Sequence, residues 1–259
     1  MTHWAFVSGG GGDIGGAICK TLARDGWAIA CVDSVDERAA EVVASIRAAG
    51  GTAEPLATDL SDPEAVETAA AWAARLGEIR GLVNTVGKTH AINYATGSYE
   101  AWRDDFRLNA DSAYLCTQAL KPRLAAQGGA IVNIASVNGL GYYGFPGYSA
   151  AKAALIHMSQ TMAVEFGPSK IRVNVVAPGT VRTRAWAPRL EKNPALFDEL
   201  LSLCPLQRIS NPEDVAEAAA FLMSDRASMI TGAVLPVDGG LSTGIAAVGR
   251  AVTQEAHRR

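Results

Sequence analysis

The run Trp4-Ala5-Phe6-Val7-Ser8-Gly9-Gly10-Gly11-Gly12-Asp13-Ile14-Gly15 decides how the rest of the chain is read. Trp4–Val7 has the composition of a buried strand, and Ile14–Arg24 repeats its apolar residues at helical spacing. Between them, glycines permit a tight turn and let backbone come close to a ligand. The N-terminus of the helix that follows offers amide donors and positive potential, a combination that receives a pyrophosphate. The glycine spacing Gly10, Gly12, Gly15 is a weak signal by itself. Its place between a strand and a helix gives it meaning.

Working outward, the same alternation recurs. Apolar runs at Trp27–Val32, Thr52–Ala57, Gly81–Val86, Ala130–Ala135, Arg172–Ala177 and Ala233–Val237 read as further buried strands. Segments such as Asp36–Ala49 and Pro63–Leu76 carry the 3.6-residue period of helices. Ser61-Asp62-Pro63-Glu64 and Asn211-Pro212-Glu213-Asp214 supply cap residues followed by a proline suited to a helix's first turn. Strands alternating with helices imply parallel pairing and a sheet covered on both faces. The expected fold is α/β: a single Rossmann-type doubly wound parallel sheet of about seven strands with helices on both faces. No linker-like stretch divides the chain. Residues 1–240 are therefore read as one catalytic domain with a substrate lid at about 182–210, and 241–259 as a partly ordered tail.

Composition excludes several classes. A net charge of -3 leaves no surplus of cations for a nucleic-acid surface. No apolar run approaches the roughly 20 residues that span a bilayer, and Met1-Thr2-His3-Trp4 does not begin a secretory leader. Cys19, Cys31, Cys116 and Cys204 are scattered, without metal-ligand spacing. Free thiols, a cytoplasmic setting and no metal are expected.

Asp33 closes the second strand, where a carboxylate accepts both hydroxyls of an adenosine ribose and repels a 2′-phosphate. Ser34 and Val35 beside it are not basic, which favours NAD over NADP. Farther on, Tyr148-Ser149-Ala150-Ala151-Lys152 opens a helix running to about Phe166, and the i, i+4 spacing puts phenol and ammonium on one face. A tyrosine with an ordinary pKa near 10 works as an acid/base near neutrality only beside a cation. Ser136, just past the fifth strand, is placed to donate to a substrate oxygen.

Taken together and in order, these pieces resemble the short-chain dehydrogenase/reductase family from Trp4 to Gly240. Asp59-Leu60, Asn84-Thr85-Val86-Gly87, Asn109, Pro178-Gly179-Thr180-Val181-Arg182-Thr183 and Val237-Asp238-Gly239-Gly240 add to the match. The resemblance implies an oxidoreductase that moves a hydride between nicotinamide and an alcohol or carbonyl carbon. Tyr148 would be the acid/base, Ser136 the group that orients the reacting oxygen, and Lys152 the holder of the nicotinamide ribose. Asn109 would hold a water that joins Lys152 to solvent. The dinucleotide would meet Ser8, Gly9, Gly12, Asp13, Ile14 and Gly15 at the phosphate loop. Beyond Asp33, it would meet Asp59 and Leu60 at the adenine and Asn84 near the adenosine-side ribose. Tyr148, Lys152, Pro178 and Gly179 would line its nicotinamide half, with Val181 and Thr183 at the carboxamide. The family's usual assembly is a homotetramer. This chain departs from the family's TGxxxGIG at Ser8 and Asp13, and from NNAG after Asn84. A carboxylate facing a pyrophosphate is repulsive, so Asp13 is expected to point away or to bond nearby amides.

Substrate contacts in this family come from the loops after strands four, five and six. Here those loops hold Lys88, Asn138, Tyr142, Arg182, Arg184 and Trp186, a mixture of donors and aromatics that suits a sugar, polyol or small hydroxy acid. The cations among them, Lys88, Arg182 and Arg184, would hold a carboxylate, phosphate or sulfonate on an anionic substrate; a neutral polyol is the other reading. A 3-oxoacyl-type carbonyl reductase is the alternative, which Asp33 disfavours because such reduction draws on NADPH.

Overall fold

The computed structural model describes residues 3–90, 93–244 and 246–253. The first half runs β1 (Trp4–Ser8), α1 (Asp13–Arg24), β2 (Ala28–Asp33), α2 (Asp36–Ala48), β3 (Ala53–Ala57), α3 (Pro63–Leu76) and β4 (Ile79–Asn84). Then follow α4 (Tyr99–Phe106), α5 (Ser112–Gln127), β5 (Gly129–Ile134), α6 (Pro146–Phe166) and β6 (Ile171–Pro178). The last part holds α7 (Ala187–Lys192), α8 (Leu196–Leu201), α9 (Pro212–Met223), β7 (Val234–Val237) and α10 (Ala246–Thr253).

All seven strands are parallel and lie in the order β3-β2-β1-β4-β5-β6-β7. Successive side chains leave a strand on opposite faces, and β1 shows the consequence. Ala5 and Val7 join a core with Ile18, Val42 and Val215 from α1, α2 and α9. Trp4 and Phe6 join the opposite core with Val66, Leu120 and Phe166 from α3, α5 and α6. The sheet is thus buried on both sides, which is why its strands read as unbroken apolar runs. Pro55, which has no N–H to donate, sits in β3 at the sheet edge.

Chain order reverses at β1, whose neighbours are β2 and β4. In open α/β sheets that switch point leaves a crevice beyond the carboxyl ends of the strands. The glycine run fills the turn there. Strand limits fall within two residues of the sequence expectation, and β4 shows the largest offset, Ile79–Asn84 rather than Gly81–Val86. Arg80 interrupts the apolar pattern at its start, sending its side chain to Gly128 O. At its end Thr85 leaves the sheet to bond the glycine loop. Of the tail, Leu241–Thr243 forms a 3-10 turn leading to α10; residues 254–259 lie outside the described part.

Candidate active site

A cavity of about 920 Å³ opens at the switch point, between the glycine loop and the loops after β4, β5 and β6. Gly9 turns the chain at φ 67°. Gly15 packs so tightly under the loop that any side chain there would strike the Gly9 carbonyl oxygen. The Gly9 and Ser8 carbonyls both accept from Thr85 Oγ1, at 3.2 and 2.5 Å. Ser8 and Asn84 brace the loop from below: Ser8 Oγ donates to Asn84 Oδ1 at 3.4 Å and accepts from the Thr85 N–H at 3.2 Å. Asn84 Nδ2 in turn donates to Asn133 Oδ1 at 2.8 Å. Both side chains are buried and do not line the cavity where ligand contacts were expected of them; they brace the loop's backbone. Gly9, Gly12, Asp13, Ile14 and Gly15 do line the cavity. This cradle fits a dinucleotide phosphate, because its approach face is backbone and the α1 N-terminus points into it.

Asp33 stands at the end of β2, where its carboxylate accepts the Gly11 and Val35 N–H groups, both at 3.0 Å. That fixes it beside the loop. Arg38, three residues past Val35, lines the cavity, whereas Asp33 does not. A helical arginine one turn into α2 reaches back to the loop, a contact that neighbouring sequence positions do not reveal. Asp59 and Leu60 do not line the cavity. The Asp59 carboxylate accepts from the Ser61 hydroxyl and N–H at 2.7 and 2.9 Å, which lowers its pKa, while Leu60 is buried in the core.

On the opposite wall stand Ser136, Tyr148 and Lys152. Phe145 takes a left-handed conformation at φ 53° before Pro146 starts α6, and this strained turn aims the first helical turn, with Tyr148, into the cavity. Lys152 is 3% exposed and donates to Ile134 O at 2.9 Å. Burial brings its pKa down to about 7. Burial likewise pushes the Tyr148 phenol up; a Ser136 hydrogen bond opposes this, and the Asp105 charge adds to it. Lys152 Nζ lies 5.7 Å from the Tyr148 ring centre. The sequence reading has the ammonium lower the phenol pKa, whereas in the polypeptide alone burial dominates both groups.

Asn109 sits in a π-helical turn, Arg107–Asp111, a deformation that concentrates at functional sites. Its Nδ2 donates to Lys88 O at 2.7 Å and Asp105 O at 2.8 Å, while its buried Oδ1 has no partner. A methyl group at Gly87 would lie 2.7 Å from that oxygen and 3.3 Å from Lys152 Nζ. The missing Cβ therefore leaves a gap between the two groups, with an unsatisfied acceptor facing it.

The substrate-side residues divide. Lys88, Asn138, Arg184 and Trp186 line the cavity, as do Pro178, Gly179, Val181 and Thr183. Asn138, however, is fully engaged: its Oδ1 accepts from Ser136 Oγ at 3.2 Å, and its Nδ2 donates to Gly144 O and Ser149 Oγ at 3.0 and 3.1 Å. It holds Ser136 rather than meeting substrate. Tyr142 is 90% exposed and outside the wall, and its neighbour Tyr143 lines it instead. Arg182 also lies outside, stacked 4.7 Å over the Phe197 ring. Arg184 is tied to Asp13, whose carboxylate takes its backbone N–H at 2.6 Å and its Nε–H at 2.5 Å. Asp13 thus bonds a nearby backbone amide, as expected of it, but the amide belongs to the loop after β6 and brings a guanidinium with it.

Sequence reading also missed a buried acid. Asp105 Oδ1 accepts the His90 N–H at 2.9 Å and lies 3.0 Å from His90 Nδ1. Its Oδ2 has no partner and packs on Gly147, in the first turn of α6. The available signal was the i, i+4 spacing of Asp105 and Asn109 on one helical face.

Comparison with known proteins agrees with the geometry. Residues 11–242 match the family model described as Enoyl-(Acyl carrier protein) reductase. An uncharacterized oxidoreductase of Schizosaccharomyces pombe is 39% identical over 92% of this chain and 90% of its own length. The 4-formylbenzenesulfonate dehydrogenase of Comamonas testosteroni is 39% identical over 91% of this chain and 96% of its own. A crystal structure of a short-chain dehydrogenase/reductase family oxidoreductase from Burkholderia thailandensis superposes with a TM-score of 0.92. It is 34% identical, with 99% of each chain covered. The parallel sheet with its glycine turn at the switch point is the frame of a nucleotide-binding fold, and these relatives make the chain an oxidoreductase. More specifically, the chain belongs to the short-chain dehydrogenase/reductase family. Among the described residues, no helix is long and apolar enough to cross a membrane, and no cluster of His, Cys, Asp and Glu could hold a metal ion.

Proposed function

We propose that this chain is an NAD-linked dehydrogenase of secondary alcohols, with a sugar, polyol or small hydroxy acid carrying an anionic group as substrate. The observation that carries this reading is the placement of Ser136, Tyr148 and Lys152 on one wall of the glycine-loop cavity, with Asn109 behind them. When bound, the nicotinamide supplies the two-electron acceptor for the hydride. Tyr148 takes the hydroxyl proton, as its phenolate. Burial pushes the phenol pKa up and the Ser136 hydrogen bond opposes it; the positive charge of a bound oxidised nicotinamide would add to that opposition. Ser136 rotates its proton from Asn138 Oδ1 onto the reacting oxygen. Lys152 holds the ribose, and the Asn109 gap passes the proton outward.

Asp33 supports NAD: a carboxylate at the end of β2, beside the glycine loop, would accept ribose hydroxyls and repel a 2′-phosphate. Trp186, Phe145 and Tyr143 give the cavity flat apolar faces, and Lys88 has no ion pair among the described residues. The relative named for a sulfonate favours the anionic class. Residues 1–240 act as one catalytic domain with the lid at 182–210 and the tail at 241–259. Exposed Tyr114 on α5 and Val164 on α6 support a homotetramer, and four free, buried cysteines support a reducing cytoplasm. A second reading, an NADPH-linked carbonyl reductase, is favoured by Arg38 at the adenosine end.

Alcohols with and without a carboxylate or sulfonate, offered with NAD and with NADP, test both readings by nicotinamide absorbance. At least tenfold faster oxidation with NAD is expected. Preference for NADP moves the assignment to the reductase, and turnover of no alcohol overturns it.

A further inference from the structure

The middle glycine of the family's TGxxxGIG is Asp13 here, at the first residue of α1, where the pyrophosphate is expected. An unpaired carboxylate there would oppose binding. Instead, Arg184, which is 171 residues away and opens the lid segment, meets it with backbone N–H and Nε–H. Arg184 Nη2 also donates to Gly11 O at 3.2 Å. Both residues line the cavity. A guanidinium carries five N–H donors. Two of them are used here, on Asp13 and Gly11, which leaves three free at the rim.

We propose that Asp13 and Arg184 form a charge-compensated clasp for the dinucleotide. Arg184 neutralises the carboxylate, offers its free guanidinium edge to the pyrophosphate and ties the lid to the glycine loop. The proposal rests on the nicotinamide-dependent reading but not on any substrate. It also explains how an acid occupies this place: the lid supplies the cation that the loop's carboxylate needs. Arg184 is then a dinucleotide contact, and Asp13 is the acid whose charge it offsets.

The test is NADH affinity by fluorescence titration, with thermal melting to confirm folding. Arg184→Ala leaves the carboxylate uncompensated and is expected to raise Kd about 30-fold, roughly 2 kcal/mol. Asp13→Gly removes the repulsion and keeps the cation, so Kd falls about threefold. Asp13→Gly combined with Arg184→Ala recovers at least tenfold of what Arg184→Ala alone loses, a coupling that two independent contacts would not show. Arg184→Lys, which keeps charge but not the fork, falls between wild type and Arg184→Ala. The clasp is overturned by an Arg184→Ala Kd within threefold of wild type, by additive effects in the double variant, or by weaker binding in Asp13→Gly. A wild type that binds neither NADH nor NADPH instead overturns the reading beneath it.

Discussion

The two ends of the cavity are built differently. At the dinucleotide end, the ligand faces backbone: glycines, the α1 N-terminus, and carbonyls pinned by Thr85. Side chains such as Ser8 and Asn84 work from underneath. At the substrate end, the wall is made of side chains whose availability depends on what else they touch. Asn138 is used up on Ser136, Gly144 and Ser149. Arg182 lies on Phe197, and Arg184 is held by Asp13. Backbone geometry follows from residue type and spacing, while side-chain availability follows from packing. Three loops that look like a donor-rich binding surface therefore deliver fewer free donors than their composition suggests.

The largest expected effect separates the two ends. Tyr148→Phe is expected to lower kcat at least about 1,000-fold while NADH Kd stays within a few fold, since it removes the proton path and little dinucleotide contact. Retained turnover above a few per cent, or a parallel loss of NADH affinity, would mean that the ends are not separable at this residue.

This contrast also explains what the sequence made legible. The seven strands, their parallel pairing and the glycine turn followed from apolar runs and one fingerprint. The Tyr148/Lys152 spacing works because both lie on a single helix. Asp13–Arg184 was not legible, because it joins residues on two loops and needs the sheet to bring them together. Arg38 escaped for a related reason: what counts at the ribose is distance through space from Asp33, not along the chain. Asp105 escaped because polarity predicts exposure, and only the turn of α4 against α6 puts that acid inside.

Changing the dinucleotide end alone gives a smaller effect. Asp33→Ala combined with Ser34→Arg is expected to move the ratio of initial rates toward NADP by at least about tenfold and to leave the substrate KM unchanged. Arg38 is already in place to assist the new phosphate contact. A simultaneous rise in substrate KM would show that the ends communicate through the loop. An unchanged ratio would show that Arg38, rather than Asp33, decides the choice.

The smallest effect joins the two ends at Tyr148. Burial is the main reason that the phenol stands above its ordinary value, and the Asp105 carboxylate on α4 adds to it through its negative charge, while Ser136 pulls the other way. Asp105→Asn removes the charge and keeps an acceptor for the His90 N–H, so the loop contact survives. With less negative charge nearby, forming a phenolate costs less, and the Tyr148 pKa falls. Alcohol oxidation requires the phenolate, so the acidic limb of kcat/KM against pH is expected to shift to lower pH. His90 faces the same carboxylate, and Lys152 lies behind the phenol, so a His90→Ala variant serves as the control. That variant removes the ring contact and keeps the Asp105 charge, so its limb is expected to stay where the wild type's lies. A limb that stays fixed in Asp105→Asn, or moves to higher pH, would mean that Asp105 anchors the loop and does not act on Tyr148.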